Sequence, residues 1–406
     1  MGSQHRGSSR RSAHTTPSEP LLSACLVVRD EAEMLPDCLA SLRGVADEIV
    51  VVDTGSTDGT PEIARQLGAR VSHFQWCDDF AAARNAALDR AHGRWVLQID
   101  ADERLTAPGG GPADGPALRR WLKNPPAQVL TLDMLALPLR NVVGRVEEVA
   151  YVPRLFARRS DRRYVRRIHE TPFPPDMPWH SARLGGCELR HLGYAPDVVA
   201  RKGKHARNLR LCEVAVQERP EDVEIQYQYG RELYRAGRKQ EALLHYTEAW
   251  KKMPIWLEGS VGWWFLVVAL GEGLNEDGHP GLVLDWVAQI WARFPNVAHL
   301  HFLRGEALRL LGRYDDALTS LRAALVLPPA GVAWEPWTTK AFSWSSIGAI
   351  YEQASRLDQA RQAYRQSLAI GPTTFAQERL AALQVTTQAD GSTGPAVAAV
   401  ARGCAL

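Results

Sequence analysis

The sequence predicts an α/β domain built on a doubly wound, largely parallel sheet, followed by an all-α superhelix of repeated helix pairs. Three observations carry that prediction. Between residues 21 and 100, short apolar runs alternate with stretches whose apolar residues recur at helical spacing, the pattern of parallel strands joined by crossover helices. Carboxylates close two of the apolar runs, at Asp53 and at the Asp100/Asp102 pair. Beyond about residue 200 the strand pattern stops, and small residues recur at Gly230, Gly271, Gly305 and Gly348.

Taken in order, residues 22–28 form the first strand. Residues 31–42 follow as a helix, with Met34, Leu35, Cys38, Leu39 and Leu42 on one face. Residues 48–52 are the second strand and lead into Asp53. Thr54 to Gly59 is turn chemistry, and Thr60-Pro61 supplies an N-cap with proline at the first helical position. Residues 63–67 continue that helix, 70–74 form a third strand, 80–91 a third helix, and 95–99 a buried fourth strand. In an extended chain residues i and i+2 share a side, so Asp100 and Asp102 face one way wherever that geometry persists past the strand. Two such carboxylates can hold a divalent cation that neutralises a diphosphate; helix capping after the strand is the alternative. Arg29-Asp30-Glu31 follows the first strand where a dinucleotide-binding site needs glycines, so that class is excluded. Residues 107–116 are too rich in Gly and Pro for regular structure, and read as a lid or a solvated insertion. Strands are expected again at 129–137 and 189–194, and a helix with basic first turns at 202–216.

Composition narrows the function classes. The chain has 406 residues, 45% hydrophobic and 23% charged, enough for two or three domains. A net charge of +2 gives no indication of nucleic acid or a membrane surface as partner. The six cysteines (Cys25, Cys38, Cys77, Cys187, Cys212, Cys404) show no zinc spacing, and three fall in apolar-periodic segments. Residues 1–20 lack the apolar core of a signal peptide and read as disordered, and no window reaches a membrane span. The expected setting is cytoplasmic.

Four stretches, Val27-Val28-Arg29-Asp30-Glu31, Ile49 to Thr60, Asp79-Phe80-Ala81-Ala82-Ala83-Arg84-Asn85 and Gln98 to Glu103, follow one another in the order of the family 2 glycosyltransferases, which the chain resembles. The resemblance implies a GT-A fold, a Rossmann-like nucleotide-diphospho-sugar transferase domain. It also implies a nucleotide-sugar donor, UDP-hexose first, and a divalent cation, Mg²⁺ or Mn²⁺. By the same resemblance Asp53 contacts the nucleotide, Asp100 and Asp102 form the metal-binding Asp-x-Asp, and Arg84 faces the nucleotide or diphosphate. Arg29 and Glu31 line the base pocket; the family more often has Asn at position 30. Farther on, Arg154-Leu155-Phe156, His169-Glu170 and His191-Leu192-Gly193-Tyr194 are similar to a subgroup with appended helical repeats, which includes sublancin-type peptide S-glycosyltransferases and lipopolysaccharide-core enzymes. That subgroup usually has Gly where this chain has Arg167.

An inverting transfer needs a base for the acceptor proton, and Glu170 is the candidate. Orienting His169, or pairing with the nearby arginines, is the alternative role. His191 either completes the metal shell or is a structural histidine.

In the second half, Gly230, Gly271, Gly305 and Gly348 are each followed by Ala242, Val283, Ala317 and Ala360, and Pro254, Pro295, Pro329 and Pro372 close the units. This is the pattern of tetratricopeptide repeats, with insertions in two units and one degenerate copy. The expected division is 1–20, a transferase domain at 21–200, repeats at 201–384 and a flexible tail at 385–406. Stacked helix pairs suit a peptide or protein acceptor, and Trp334 and Trp337 are candidate acceptor or interface contacts. A glycan or small-molecule acceptor, and a non-catalytic scaffold with a vestigial transferase domain, are the rivals. A homodimer is left open.

Overall fold

The structure is a computed structural model that describes residues 19–143, 146–173, 180–192, 204–329 and 336–389. It divides into two compact units. The first comprises Met1–Leu139, Val152–Tyr164 and Trp179–Gly193; the second comprises Arg140–Tyr151, Val165–Pro178 and Tyr194–Leu406. Of the segments singled out in the sequence, residues 1–18, Gly193 and Tyr194, 201–203, Trp334 and the tail from 390 lie outside the described residues.

In the first unit the elements run β1 (Leu22–Val28), α1 (Leu35–Ser41), β2 (Glu48–Asp53), α2 (Thr60–Gln66), β3 (Arg70–His73), α3 (Phe80–Leu88), β4 (Trp95–Gln98) and β5 (Glu103–Thr106). Then follow α4 (Gly115–Lys123), the single turn α5 (Ala127–Leu130), β6 (Met134–Val143), β7 (Val146–Ala157), β8 (Ser181–Arg183) and β9 (Glu188–His191), with the part of β6 and β7 within Arg140–Tyr151 belonging to the second unit. They make one sheet in the order β3-β2-β1-β4-β7-β6-β9-β5, with β8 on β6. The first four strands are parallel, with Cys25 of β1 opposite both Val50 of β2 and Gln98 of β4. Beyond β4 the expectation of a largely parallel sheet fails: β7 pairs with β4 antiparallel, Trp95 opposite Ala157, and β5 pairs with β9 antiparallel. β8 does run parallel to β6, Met134 opposite Ser181, so this half of the sheet is mixed.

β1 and β4 are buried on both faces, which is why they read as continuous apolar runs. Leu22, Leu26, Trp95, Leu97, Ile99 and Leu105 are at the centre of the core. The Trp95 indole donates to the Leu122 carbonyl at 3.0 Å, so the largest buried side chain keeps its polar atom satisfied.

Several boundaries moved for local reasons. α1 starts at Leu35, because Asp30 adopts φ +52° and the Glu31 carbonyl accepts from the amides of Met34 and Leu35. Gly59, at φ +83°, takes the N-cap position of α2 that was expected of Thr60. The Gly/Pro stretch is closed by the Ala107 amide on the Gly111 carbonyl, 2.8 Å, and gives way to α4 at Gly115. The Asp114 carboxylate caps that helix by accepting from the Ala117 amide. The strand expected from 129 begins at Met134, after the turn of α5.

The repeat region of the second unit contains α6 (Lys204–Glu218), α7 (Val223–Arg235), α8 (Lys239–Lys251), α9 (Val261–Glu276), α10 (Pro280–Trp291), α11 (Ala298–Leu310), α12 (Tyr314–Val326), α13 (Pro336–Gln353), α14 (Leu357–Ile370) and α15 (Thr374–Ala389). The recurrent small residues sit where paired helices close on each other. A Cβ on Gly230 would lie 2.5 Å from Tyr246, and one on Gly348 would lie 2.6 Å from Tyr364. Trp250, Trp263, Trp264, Trp286 and Phe294 form one aromatic cluster, which accounts for much of the tryptophan in this region as core.

Candidate functional site

The carboxyl ends of parallel strands are where an open α/β sheet binds its ligand, and the predicted residues of the first unit collect there. After β2, Asp53 is buried, at 4% exposure. Its carboxylate accepts from the Gly55 amide (3.1 Å), the Ser56 amide (3.2 Å) and the Ser56 hydroxyl (2.5 Å), and His73 Nδ1 lies 3.5 Å away. The turn thus holds Asp53 rigidly. The loop after β1 is stitched to the same turn: the Asp30 amide donates to the Ser56 hydroxyl, and the Thr57 amide donates to Asp30 Oδ1 at 2.7 Å. Asp30 therefore serves as a turn acceptor at the position where the family more often has Asn. The Glu31 amide donates to the Thr60 hydroxyl at 2.8 Å, and Arg29 is exposed, 3.8 Å from Asp30.

The Asp-x-Asp stretch behaves differently from an extended chain. The Glu103 amide donates to the Asp100 carbonyl at 3.0 Å, so residues 100–103 form a tight turn between β4 and β5. Asp100 and Asp102 consequently find different partners. Asp100 Oδ1 accepts from Arg84 (3.3 Å) and Gln98 (3.2 Å), while Oδ2 accepts from Arg154 (3.0 Å). The Arg154 Nη2 that reaches Asp100 also donates to Glu103 Oε1 at 2.6 Å. Asp102 instead faces His191, with Nε2 3.4 Å from Oδ2, across the β5–β9 pairing that sets Glu103 opposite His191. Among the described residues no three metal-ligating side chains cluster.

Electrostatics separates the two buried carboxyls. Burial works to raise Asp100, but Arg154 and then Arg84 outweigh it and hold the carboxyl below its ordinary range. Burial also raises Glu103; there it prevails over Arg154, with Asp100 adding to it, and the carboxyl titrates above its ordinary value. The Arg154 Nε–H is buried with no hydrogen-bond partner among the described residues, an orphaned donor beside Asp100. Arg84 comes from α3, whose N-cap Asp79 accepts from the Ala82 amide, and its guanidinium lies 6.0 Å from the Tyr164 ring. Asn85, next on the helix, holds the backbone of Tyr164 by both its amide and its carbonyl, and the Tyr164 hydroxyl donates to Gln98.

Arg154 is the residue that sequence reasoning missed as part of this site. It was quoted only as the first letter of a motif, because its partners lie more than fifty positions upstream.

Glu170 lies in the second unit, in a loop closed by Val165 and Thr171, next to His169. His169 has φ +54°, and burial lowers its affinity for a proton, although Glu224 and Glu170 work the other way. The arginines preceding it pair with carboxylates of the same unit: Arg166 with Asp222 and Arg167 with Glu218.

Comparison with known proteins places these features in context. Residues 23–107 match the family described as Glycosyl transferase family 2, and residues 287–332 match Tetratricopeptide repeat. A TPR repeat-containing protein of Synechococcus elongatus is 31% identical over 358 residues, covering 86% of this chain and 76% of that protein. The SPbeta prophage-derived glycosyltransferase SunS of Bacillus subtilis is 25% identical over 229 residues, covering 55% of this chain and only 52% of SunS. The crystal structure of a thermophilic TPR protein of Thermus thermophilus superposes with a TM-score of 0.35 at 23% identity, covering 46% of this chain and 94% of that one.

Proposed function

The chain belongs to the family 2 glycosyltransferases and carries tetratricopeptide repeats behind that domain, and from this premise we propose that it transfers a hexose from a UDP-sugar to a peptide or protein side chain, with inversion. The observation that carries the proposal is the arrangement at the carboxyl end of β4. Asp102 and His191 stand 3.4 Å apart, and Asp100 is held by Arg84 and Arg154.

The Asp102–His191 pair fits Mg²⁺ or Mn²⁺. One carboxylate and one imidazole leave most of the shell to water and to the donor's phosphates, the manner in which such ions are held in phosphate-transfer sites. When bound there, the cation would neutralise charge developing on the leaving diphosphate. The rest falls to the chain itself. The guanidinium groups of Arg84 and Arg154 flank Asp100 and supply donors suited to phosphate oxygens. The orphaned Arg154 Nε–H is a donor for one of them. Asp53, Arg29 and Glu31, gathered by the stitched loops after β1 and β2, bind the nucleoside. Glu170 takes the proton from the acceptor.

A peptide acceptor is supported by the repeat region and by the resemblance to the sublancin-type enzymes. Among the described residues Cys25, Cys38, Cys187 and Cys212 are buried outside any disulfide, which supports a reducing, cytoplasmic setting. No helix among the described residues is long and apolar enough to cross a membrane.

The test is mass spectrometry of matched Cys, Ser and Thr peptides incubated with the enzyme, a UDP-hexose panel and Mn²⁺. The proposal expects a gain of one hexose on a peptide. Hexose transfer to a glycan with no peptide modified would move the acceptor assignment to the rival class.

A further inference from the structure

The loop that carries Glu170 is short, strained and held by helices of its own unit. Its ends are joined by two hydrogen bonds, the Val165 amide to the Thr171 carbonyl (2.9 Å) and the Thr171 amide to the Val165 carbonyl (3.2 Å). Between them, Arg166 (φ +75°) and His169 (φ +54°) both adopt the left-handed region without being glycine. Backbone of this kind persists only where its surroundings over-determine it. Here the surroundings are two arginine–carboxylate clamps. Arg166 donates Nε to Asp222 Oδ2 (2.7 Å) and Nη2 to Asp222 Oδ1 (3.0 Å), with both side chains nearly excluded from water. Arg167 donates to both carboxylate oxygens of Glu218, Nε to Oε2 at 3.2 Å.

The carboxylates come from the helices of the same unit. Glu218 is the last residue of α6, and Asp222 is the N-cap of α7, where it also accepts from the amides of Glu224 and Ile225. Paired N–H···O bonds fix direction as well as distance, so each clamp sets the orientation of its arginine and of the backbone that bears it. The left-handed Arg166 is three residues before the left-handed His169, and Glu170 follows directly.

We infer that Asp222 and Glu218, on the first helices of the repeat region, are positioning residues for transfer, holding through Arg166 and Arg167 the backbone that presents Glu170. The inference rests on the reading of Glu170 as base. It gives the repeats a part in turnover itself, beyond capture of an acceptor, and it means that residues 21–200 alone cannot set the base.

The experiment uses the full chain and four variants: Glu170→Gln, Asp222→Asn, Arg166→Lys and the double variant Arg166→Lys/Glu170→Gln. Asn retains N-cap ability, and Arg166→Lys leaves the cap untouched, so loss of folding is not built into the design. Asp222→Asn and Arg166→Lys should each lower kcat by roughly 10- to 100-fold, the scale of a small misplacement of a reacting group, with donor KM unchanged. Amide exchange at Val165 and Thr171 should accelerate in both while the melting curves of the helices stay close to wild type. In the Glu170→Gln background, Arg166→Lys should cost little further, because a residue acting through Glu170 has nothing left to position. If Glu170→Gln is slow and the Arg166→Lys loss multiplies with it, or if Asp222→Asn turns over normally, the inference is overturned and the base reading stands. If Glu170→Gln turns over like wild type, the base reading fails and the inference falls with it.

Discussion

Replacing Arg154 with Met removes the cation that joins Asp100 to Glu103 and leaves most of the side-chain volume. Breaking a buried ion pair by deleting one partner costs about 3–5 kcal/mol, chiefly because a charge is stranded. Two features pull this case to the lower end. Arg84 still reaches Asp100 at 3.3 Å, and Glu103 already titrates above its ordinary value, so it can protonate when its partner is lost. The Asp100 side chain is also 35% exposed, which discounts its share for solvent screening. A loss of about 2–3 kcal/mol remains, or on the order of 100-fold in the opening equilibrium of β4 against β7. The sign with pH follows from the two shifts. Asp100 is lowered in the folded chain, so its contribution is complete above the unfolded value of about 3.9 and is lost as pH falls through the folded one. Glu103 is raised, so its ionisation costs stability as pH climbs through its folded value. Without Arg154 both carboxyls titrate higher, and the deficit of the variant grows as pH rises above the unfolded carboxylate values of about 3.9 to 4.3. Amide exchange of peptides spanning β4 and β7 reads this locally, which matters in a chain of two units where one global melt is ill-defined. A deficit below about 0.5 kcal/mol at pH 7.5, or an equal deficit at pH 5, would refute the claim that Arg154 is the keystone of a charged cluster.

Three further outcomes follow from the same structure. Arg84→Ala should weaken nucleoside diphosphate binding by roughly 10- to 100-fold in calorimetry, as loss of a charge-assisted hydrogen bond does; an unchanged Kd removes Arg84 from the donor site. Gly230→Ala should destabilise the repeat region by about 1–2 kcal/mol despite alanine's better helix propensity, because its Cβ would lie 2.5 Å from Tyr246. Gly262→Ala, with nothing within 4 Å, should instead be neutral or stabilise by up to about 1 kcal/mol, and equal effects at the two sites would contradict the packing argument.

What the sequence disclosed depended on how far apart the interacting residues lie. The edges of β1 and the acidic ends of β2 and β4 follow from a few neighbouring side chains, so an apolar run and its closing carboxylate were enough to read them. The repeat period was legible for a similar reason: Gly230 and Gly348 are small because a tyrosine of the paired helix closes on each. The antiparallel half of the sheet was not legible. Nothing local in residues 134–157 says that β7 will border β4. The same distance hid Arg154, which meets Asp100 only after that pairing forms. The Asp-x-Asp pair shows a subtler failure. Period-two alternation does not persist past Gln98, the end of β4, and the chain turns at 100–103, so Asp100 faces arginines while Asp102 faces His191. Around Glu170 the sequence showed a basic run and could not say where its charges go. Arg166 and Arg167 are spent on carboxylates of the repeat region, so the loop has its own fixed shape.

The proposed transfer requires Asp102 and His191 to hold a divalent cation while UDP leaves a UDP-hexose. Coupled measurement of UDP release by wild type, Asp102→Ala and His191→Ala, each with Mn²⁺ and with excess chelator, tests it most directly. Release is expected only from metal-replete wild type, with Asp102→Ala reduced to background and His191→Ala needing far more Mn²⁺ for a lower rate. Undiminished release by wild type in excess chelator, or by Asp102→Ala under any condition, would contradict it.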